Sequence, residues 1–312
     1  MNIAIIGRTH ILLETAKLLE KEGHQIKLVV TAREAPEYKA SVADFRKFAK
    51  QIGAHFIKTQ NINKEIAVLT KKNQIFNIEI GLSMNYPNVI SQEIIDLFPL
   101  GILNAHLGNL PRYRGNATIN WAIIAREPKM ALCLQYMIGG ELDSGDIVAR
   151  QYKKITLKTK VTEFYDWMEE KMPTMVKETL AKLAKNPKYI LEKQSTNPKD
   201  ILRCYPRIPK DSKIDWKKSN IDILTLINAS AEPFSGAYTF YNGQKIIIWD
   251  AELFFDEENY LAVPGQIAKI NKKEGHLVVI CGNGKIKITE IQIDNYRGIP
   301  SQRIKSIRKR FE

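Results

Sequence analysis

Over its first 140 residues the chain alternates short apolar runs with helical repeats, and this alternation admits few folds. Residues 3–6 read as a buried strand ending at Gly7. Apolar positions over 11–19 recur on one helical face, with Gly23 as the stop behind them. Residues 25–30 form the next strand. Ser41 is placed to cap a helix running to Ile52, with Val42, Phe45, Phe48, Ala49 and Ile52 on one face and Gly53 beyond. Residues 77–82, 101–105 and 132–137 read as further strands, with helices from Ser91 and over 117–125. The order predicts an α/β fold, an open and largely parallel sheet with helices on both faces.

A long helix is expected over 161–184, with Phe164, Trp167, Met168, Met175 and Leu183 on a buried stripe and Pro173 kinking or dividing it. Pro187, Pro198, Pro206 and Pro209 mark a linker. Beyond it, residues 236–241, 245–249, 265–270, 276–281 and 286–291 read as short strands. Asn242-Gly243 and Gly282-Asn283-Gly284 supply hairpin turns. The expected domains are therefore 1–190, a linker at 191–210, and a smaller β-rich, barrel-like domain at 211–312, in keeping with a length of 312 residues.

No run of eighteen apolar residues is present, so neither a membrane span nor a membrane partner is expected. The first residues, MNIAIIGRTH, read as a strand and not as a signal peptide. Cys133, Cys204 and Cys281 form no CxxC pair, which argues against a disulfide scaffold or structural zinc; no metal is expected, and a cytoplasmic setting is. The net charge of +13 favours anionic partners without choosing among them. Its densest cluster, Arg303, Lys305, Arg308, Lys309 and Arg310, reads as a solvated, fraying terminus.

The turn IIGRTH lacks GxGxxG, and no GxxxxGK[ST] or GxSxG occurs, so dinucleotide, P-loop and serine-hydrolase sites are not expected. Residues 101–148 carry the chemistry instead. Asn104 and His106 are two apart on a strand and share a face at its C-terminal end, where open α/β sheets place their sites. A rigid polar loop follows, and Glu141, Asp143 and Asp146 lie in a glycine-rich loop downstream. An imidazole, an amide and a carboxylate brought together make a proton-transfer and oxyanion-stabilising site.

The pattern Asn-x-His-x(4)-Pro-x-x-Arg-Gly, followed by Leu142-Asp143-Ser144-Gly145, resembles the folate-dependent formyltransferase family. The resemblance extends to SVADFRKFAKQIGAHFI and KDSKIDWKKSNIDILTLINASAEPFSGAYTF, and so to nearly the whole chain. It implies a Rossmann-like domain followed by a β-rich one, and N10-formyltetrahydrofolate as formyl donor. It further implies that His106 moves the proton of the attacking amine, that Asn104 donates to the oxyanion, and that Asp143, in preference to Asp146, holds His106. Folate would lie against Asn88, Val89, Ile90, Asn116, Gly139, Gly140, Glu141 and Leu142.

Within the family, two local departures from the tRNA-formylating pattern, together with the segment EPFSGAYTFYNGQKIIIWDAEL, which looks closer to sugar-nucleotide formyltransferases, direct the expectation elsewhere. Residues 31–40 are short and mixed in charge where that pattern has a basic insertion, and Gly108-Asn109-Leu110-Pro111 replaces Ser-Leu-Leu-Pro. The expected acceptor is a UDP- or dTDP-linked amino sugar of the lipopolysaccharide or nonulosonic-acid (pseudaminic-acid-type) kind, with no stable nucleic-acid partner. Arg8, His10, Arg112, Arg114, Tyr205 and Arg207 would hold it. Methionyl-tRNA is the alternative acceptor, and a non-catalytic nucleotide- or RNA-binding protein on this fold is the third reading. A homodimer through the β-rich domain is compatible with each.

Overall fold

The computed structural model describes residues 1–35 and 38–312. In chain order its strands and helices are β1 (Asn2–Gly7), α1 (His10–Lys21), β2 (Gln25–Thr31), α2 (Val42–Ile52), β3 (His55–Lys58), α3 (Ile66–Phe76), β4 (Ile80–Met84), α4 (Gln92–Ile95), β5 (Ile102–His106), β6 (Arg114–Gly115) and α5 (Thr118–Ile124). There follow β7 (Lys129–Tyr136), β8 (Ile147–Lys154), α6 (Thr162–Lys185), β9 (Arg203–Cys204), α7 (Asn220–Ala229), β10 (Ala237–Tyr241), β11 (Gln244–Phe254), β12 (Ile267–Ile270), β13 (Leu277–Ile280), β14 (Lys285–Ile293) and β15 (Tyr296–Gly298).

Two units group these elements. The first comprises residues 1–118, 130–153 and 165–205; the second comprises 119–129, 154–164 and 206–312. Residues 119–129 and 154–164, expected in the first domain, thus group with the second unit. Residues 191–205, expected as linker, group with the first, where β9 pairs with β6 in parallel.

The first unit holds a seven-stranded sheet in the order β3-β2-β1-β4-β5-β7-β8. Its first five strands are parallel and β7 runs antiparallel to β5. Ile3, Ile5 and Ile6 of β1 are fully buried, as strands covered on both faces require. The order reverses beside β1, so the C-terminal ends of β1, β4 and β5 open on the crevice where this architecture places ligands.

Ser41 caps α2 as its sequence requires. Its hydroxyl accepts from the Asp44 amide, the Asp44 carboxylate accepts from the Ser41 amide, and Gly53 closes the helix in the left-handed region at φ 69°. Ser41→Ala is expected to cost about 1 kcal/mol in a denaturant melt; an unchanged midpoint would remove the capping box from the account of α2.

Helix α6 continues through Pro173 undivided, held by the buried neighbours Met172, Met175 and Val176. Helices α3 and α7 and strand β8 are absent from the sequence reading. Helix α7 is nearly continuously buried, which removes the polar face that periodicity detects.

The second unit carries an antiparallel sheet, β10-β11-β14-β13-β12, with β15 on β14. Its core includes Trp216, Ile248, Ile286, Ile288 and Phe311. The expectation of a fraying terminus is corrected here. Phe311 is buried, stacks on Trp216 at 5.3 Å between ring centroids, and donates its amide to the Gly265 carbonyl at 2.9 Å. No helix among the described residues is long and apolar enough to cross a membrane.

Candidate active site

Strand β5 ends on the site. Asn104 and His106 leave its last turn of pleat on one face. The antiparallel register places Gln135 of β7 opposite Asn104 and Cys133 opposite His106. Asp143 enters from the loop between β7 and β8 with its side chain 7% exposed. Its carboxylate accepts three hydrogen bonds: Oδ1 from Asn104 Nδ2 at 3.3 Å and Gln135 Nε2 at 2.9 Å, and Oδ2 from the Gly115 amide at 2.8 Å. Tyr113, Ala117 and Asp143 all occupy the left-handed region, at φ 59°, 50° and 51°. Such conformations in non-glycine residues cost of order 1–3 kcal/mol each and gather where geometry is imposed by function.

The structure thus brings Asn104, His106 and Asp143 together, with one departure from expectation. The His106 ring is held by the Tyr113 carbonyl, which accepts from Nε2 at 2.7 Å. Nδ1 faces Asp143 Oδ2 across 3.6 Å, beyond hydrogen-bond length, because three N–H donors already fix that carboxylate. Asp146, the other carboxylate considered, is turned away: its Oδ1 accepts from the Gln194 amide.

The residues named for folate divide. The Ile90 carbonyl accepts from the Gly140 amide at 3.4 Å and the Gln92 Oε1 from the Gly139 amide at 2.8 Å, so the 88–92 and 138–142 loops are knitted side by side. Ile90 itself is fully buried in the core and offers only backbone. The Asn88 amide is committed to the Gln60 carbonyl. Val89 and Ile138 are exposed apolar side chains on these loops, at 44% and 40%, and Gly140 has open space where a Cβ would stand. Exposed apolar side chains on two loops laid side by side suit a flat heteroaromatic ring. Asn116 and Glu141 are exposed and Leu142 is half-buried.

Most of the expected acceptor-holding cations are otherwise engaged. Arg114 is partly buried and donates to Gln194 Oε1 and the Ser195 carbonyl; desolvation lowers its pKa, and it is a structural cation. Arg207 belongs to the second unit, is half-buried over Trp121, and donates to the Asp211 carbonyl. Arg8 donates to the Asn85 and Arg33 carbonyls. His10 and Lys39 both meet Glu169 at 2.8 Å. Arg112 and Tyr205 are exposed. Of the 31–40 loop, Pro36 and Glu37 lie outside the described residues. Burial raises the thiols of Cys133, Cys204 and Cys281 to about 11, 11 and 12, which leaves them protonated and poor nucleophiles.

The sequence did not reveal the Tyr113 carbonyl as the acceptor that holds His106, nor Gln135 and Gln194. Gln135 had a usable signal, a polar residue on an apolar strand; Gln194 had none, lying among prolines.

The fold is thus of the doubly wound α/β class, with an amide, an imidazole and a carboxylate at the carboxyl edge of its sheet, a set suited to proton transfer and oxyanion stabilisation. The family model for formyl transferase matches residues 1–180 and that for the formyl transferase C-terminal domain matches 207–305. The chain belongs to the formyltransferase family and is an enzyme. A methionyl-tRNA formyltransferase of Caldanaerobacter subterraneus subsp. tengcongensis is 31% identical over 301 residues, 95% of this chain and 94% of that protein. One from Acetivibrio thermocellus is 29% identical, covering 95% and 93%. The crystal structure of WlaRD, a sugar 3N-formyl transferase with dTDP and 5-N-formyl-THF, aligns with a TM-score of 0.65 at 18% identity, covering 95% of this chain and 98% of that one. At that identity it speaks for the fold alone.

These relatives overturn the expected amino-sugar acceptor. Five curated methionyl-tRNA formyltransferases are 27–31% identical to the chain over nearly its whole length. Of the features that pointed to a sugar nucleotide, Gly108-Asn109 and the brevity of residues 31–40 are a few loop positions, and EPFSGAYTFYNGQKIIIWDAEL is one short segment of the chain. Loops vary among relatives far more than the scaffold does, so they weigh less than likeness over the whole chain.

Proposed function

We propose that this chain transfers the formyl group of N10-formyltetrahydrofolate to the amine of methionyl-tRNA. The observation that carries this reading is the likeness to methionyl-tRNA formyltransferases over about 95% of the chain. The charge of +13 is in keeping with a polyanionic acceptor.

The folate supplies an activated formyl group when bound, and the exposed side chains of Val89 and Ile138, on the paired 88–92 and 138–142 loops, would hold its ring. His106 Nε2 stays with the Tyr113 carbonyl, and Nδ1 is the nitrogen left to take the amine proton and hand it on to the departing nitrogen. Asn104 uses one Nδ2 hydrogen on Asp143, and the other would be the donor to the carbonyl oxygen on which charge develops. Asp143, fixed by three donors, sets the field and the orientation for both.

Incubation with N10-formyltetrahydrofolate and either methionyl-tRNA or a panel of nucleotide-linked amino sugars tests the reading by mass spectrometry. Formyl-methionyl-tRNA is expected, with tRNA binding that weakens steeply between 50 and 200 mM salt, by about 10³-fold for six phosphate contacts. Turnover of an amino sugar and none of methionyl-tRNA would refute it.

A further inference from the structure

Asp143 does not stand alone. Gln135 Nε2 donates to its Oδ1 at 2.9 Å, Gln194 Nε2 donates to Gln135 Oε1 at 2.8 Å, and Arg114 donates a guanidinium N–H to Gln194 Oε1 at 3.0 Å. An arginine can only donate and a carboxylate can only accept, so the two amides between them can face only one way. Arg114 fixes which end of Gln194 is oxygen, Gln194 fixes Gln135, and Gln135 presents its N–H to Asp143. Gln194 is 8% exposed and Gln135 1%. Gln194 Nε2 also lies 3.1 Å from the Asp143 carbonyl and 2.6 Å from that of Gly145, so the same amide grips both sides of the loop that carries the carboxylate.

We infer that Gln135 and Gln194 are positioning residues that, as a one-way hydrogen-bond chain from Arg114, fix the Asp143 carboxylate against Asn104 and His106. The inference rests on the role proposed above for Asp143 and is indifferent to the acceptor. It gives the segment after α6 a part in the site. Residues 192–195 reach it through Gln194, and Ile147 pairs with Glu192 just before. The cost of isolating any member is high, because each amide is buried and would leave its neighbour's donor or acceptor unpaired. Other charged and titratable groups that act on this cluster are Glu141, which acts on Arg114, Asp146, whose Oδ1 accepts from the Gln194 backbone amide, Cys133, opposite His106 on β7, and the pair Arg150 and Glu192, both of which act on Cys133.

The test uses the full chain with Gln135→Leu, Gln194→Leu and Gln135→Glu, each alone and the two leucine variants also in an Asp143→Asn background. Each leucine variant is expected to lower kcat by about 100-fold, the scale of a misplaced catalytic group, with KM for both substrates within threefold of wild type. In Asp143→Asn neither should lower it further, because both act through the same carboxylate. Gln135→Glu sets two carboxyls side by side. They can share a proton when the pH is low and repel once both ionise, so its activity is expected to approach wild type at low pH and fall as pH rises. That signature would be absent if the glutamine were only structural. If the leucine variants fail to fold, Gln135→Glu carries the test alone. Nitrogen NMR of the His106 ring gives a readout that needs no acceptor, and its titration is expected to move in all three variants. Folded leucine variants with wild-type kcat, an undiminished loss in Asp143→Asn, or an unmoved His106 titration would overturn the inference. A wild-type chain inert toward methionyl-tRNA, whose His106 titration still shifts in the variants, would overturn the acceptor and leave the chain of amides standing.

Discussion

His106→Ala is expected to lower kcat by about 10²–10⁴-fold, the contribution of a positioned acid-base group, while the thermal melt stays close to wild type. No other group in the cluster can take its place. Asp143 has its carboxylate occupied by three N–H donors, Cys133 is held protonated by burial, and Asn104 carries no exchangeable charge. The fold should survive because the ring makes one hydrogen bond, to the Tyr113 carbonyl, and that acceptor is left for water in the space vacated. Asn104→Ala is expected to cost about 10²–10³-fold, the scale of one oxyanion donor. Single-turnover formation of formyl-methionyl-tRNA separates these losses from binding. His106→Ala retaining more than a tenth of wild-type kcat would remove it from the proton path.

That Asn104 and His106 share one face at a strand end was legible because it rests on rules that act locally, whereas the resemblance to the family singled out Asp143 among the loop carboxylates. Two residues apart on a strand share a face, and the carboxyl edge of a parallel sheet is where loops converge. The alternation of apolar runs similarly fixed most of the first unit's strands. What remained hidden depends on contacts remote in sequence. The hold of Tyr113 on His106 follows from a left-handed backbone at Tyr113, which no propensity announces in a tyrosine. Gln194 meets Gln135 across 59 residues of chain. The same remoteness explains why Arg114 read as a free cation: its partner Gln194 lies 80 residues on and is set by tertiary packing. The acceptor was misread for a different reason, since local features, two loops and one C-terminal segment, were given more weight than a likeness that runs end to end.

Gly115→Ala is expected to abolish most turnover, by about 100-fold or more, and to lower stability by about 1–3 kcal/mol. The sequence offers the glycine only as the last letter of Pro-x-x-Arg-Gly; the structure supplies three reasons for it. Its φ of +99° lies where a side chain is strained. A Cβ there would stand 2.4 Å from the Cys204 carbonyl oxygen, which is backbone and cannot swing aside. Its amide donates to Asp143 Oδ2 at 2.8 Å. Relief of the clash must separate β6 from β9, which pair through Gly115 and Cys204, and any such shift draws the amide away from the carboxylate. Asp143 would then keep Gln135 and Asn104 on Oδ1 and lose the only donor described on the oxygen that faces His106. The loss should therefore fall on kcat, and the His106 ring titration should move with it. Relaxing the 186–205 segment by Cys204→Gly leaves the clash in place, because the obstructing atom is a backbone carbonyl, so that substitution is expected not to rescue Gly115→Ala. Steady-state kinetics beside a denaturant melt decide the matter: wild-type kcat in a folded Gly115→Ala protein would show that the Asp143 carboxylate needs no donor on that side.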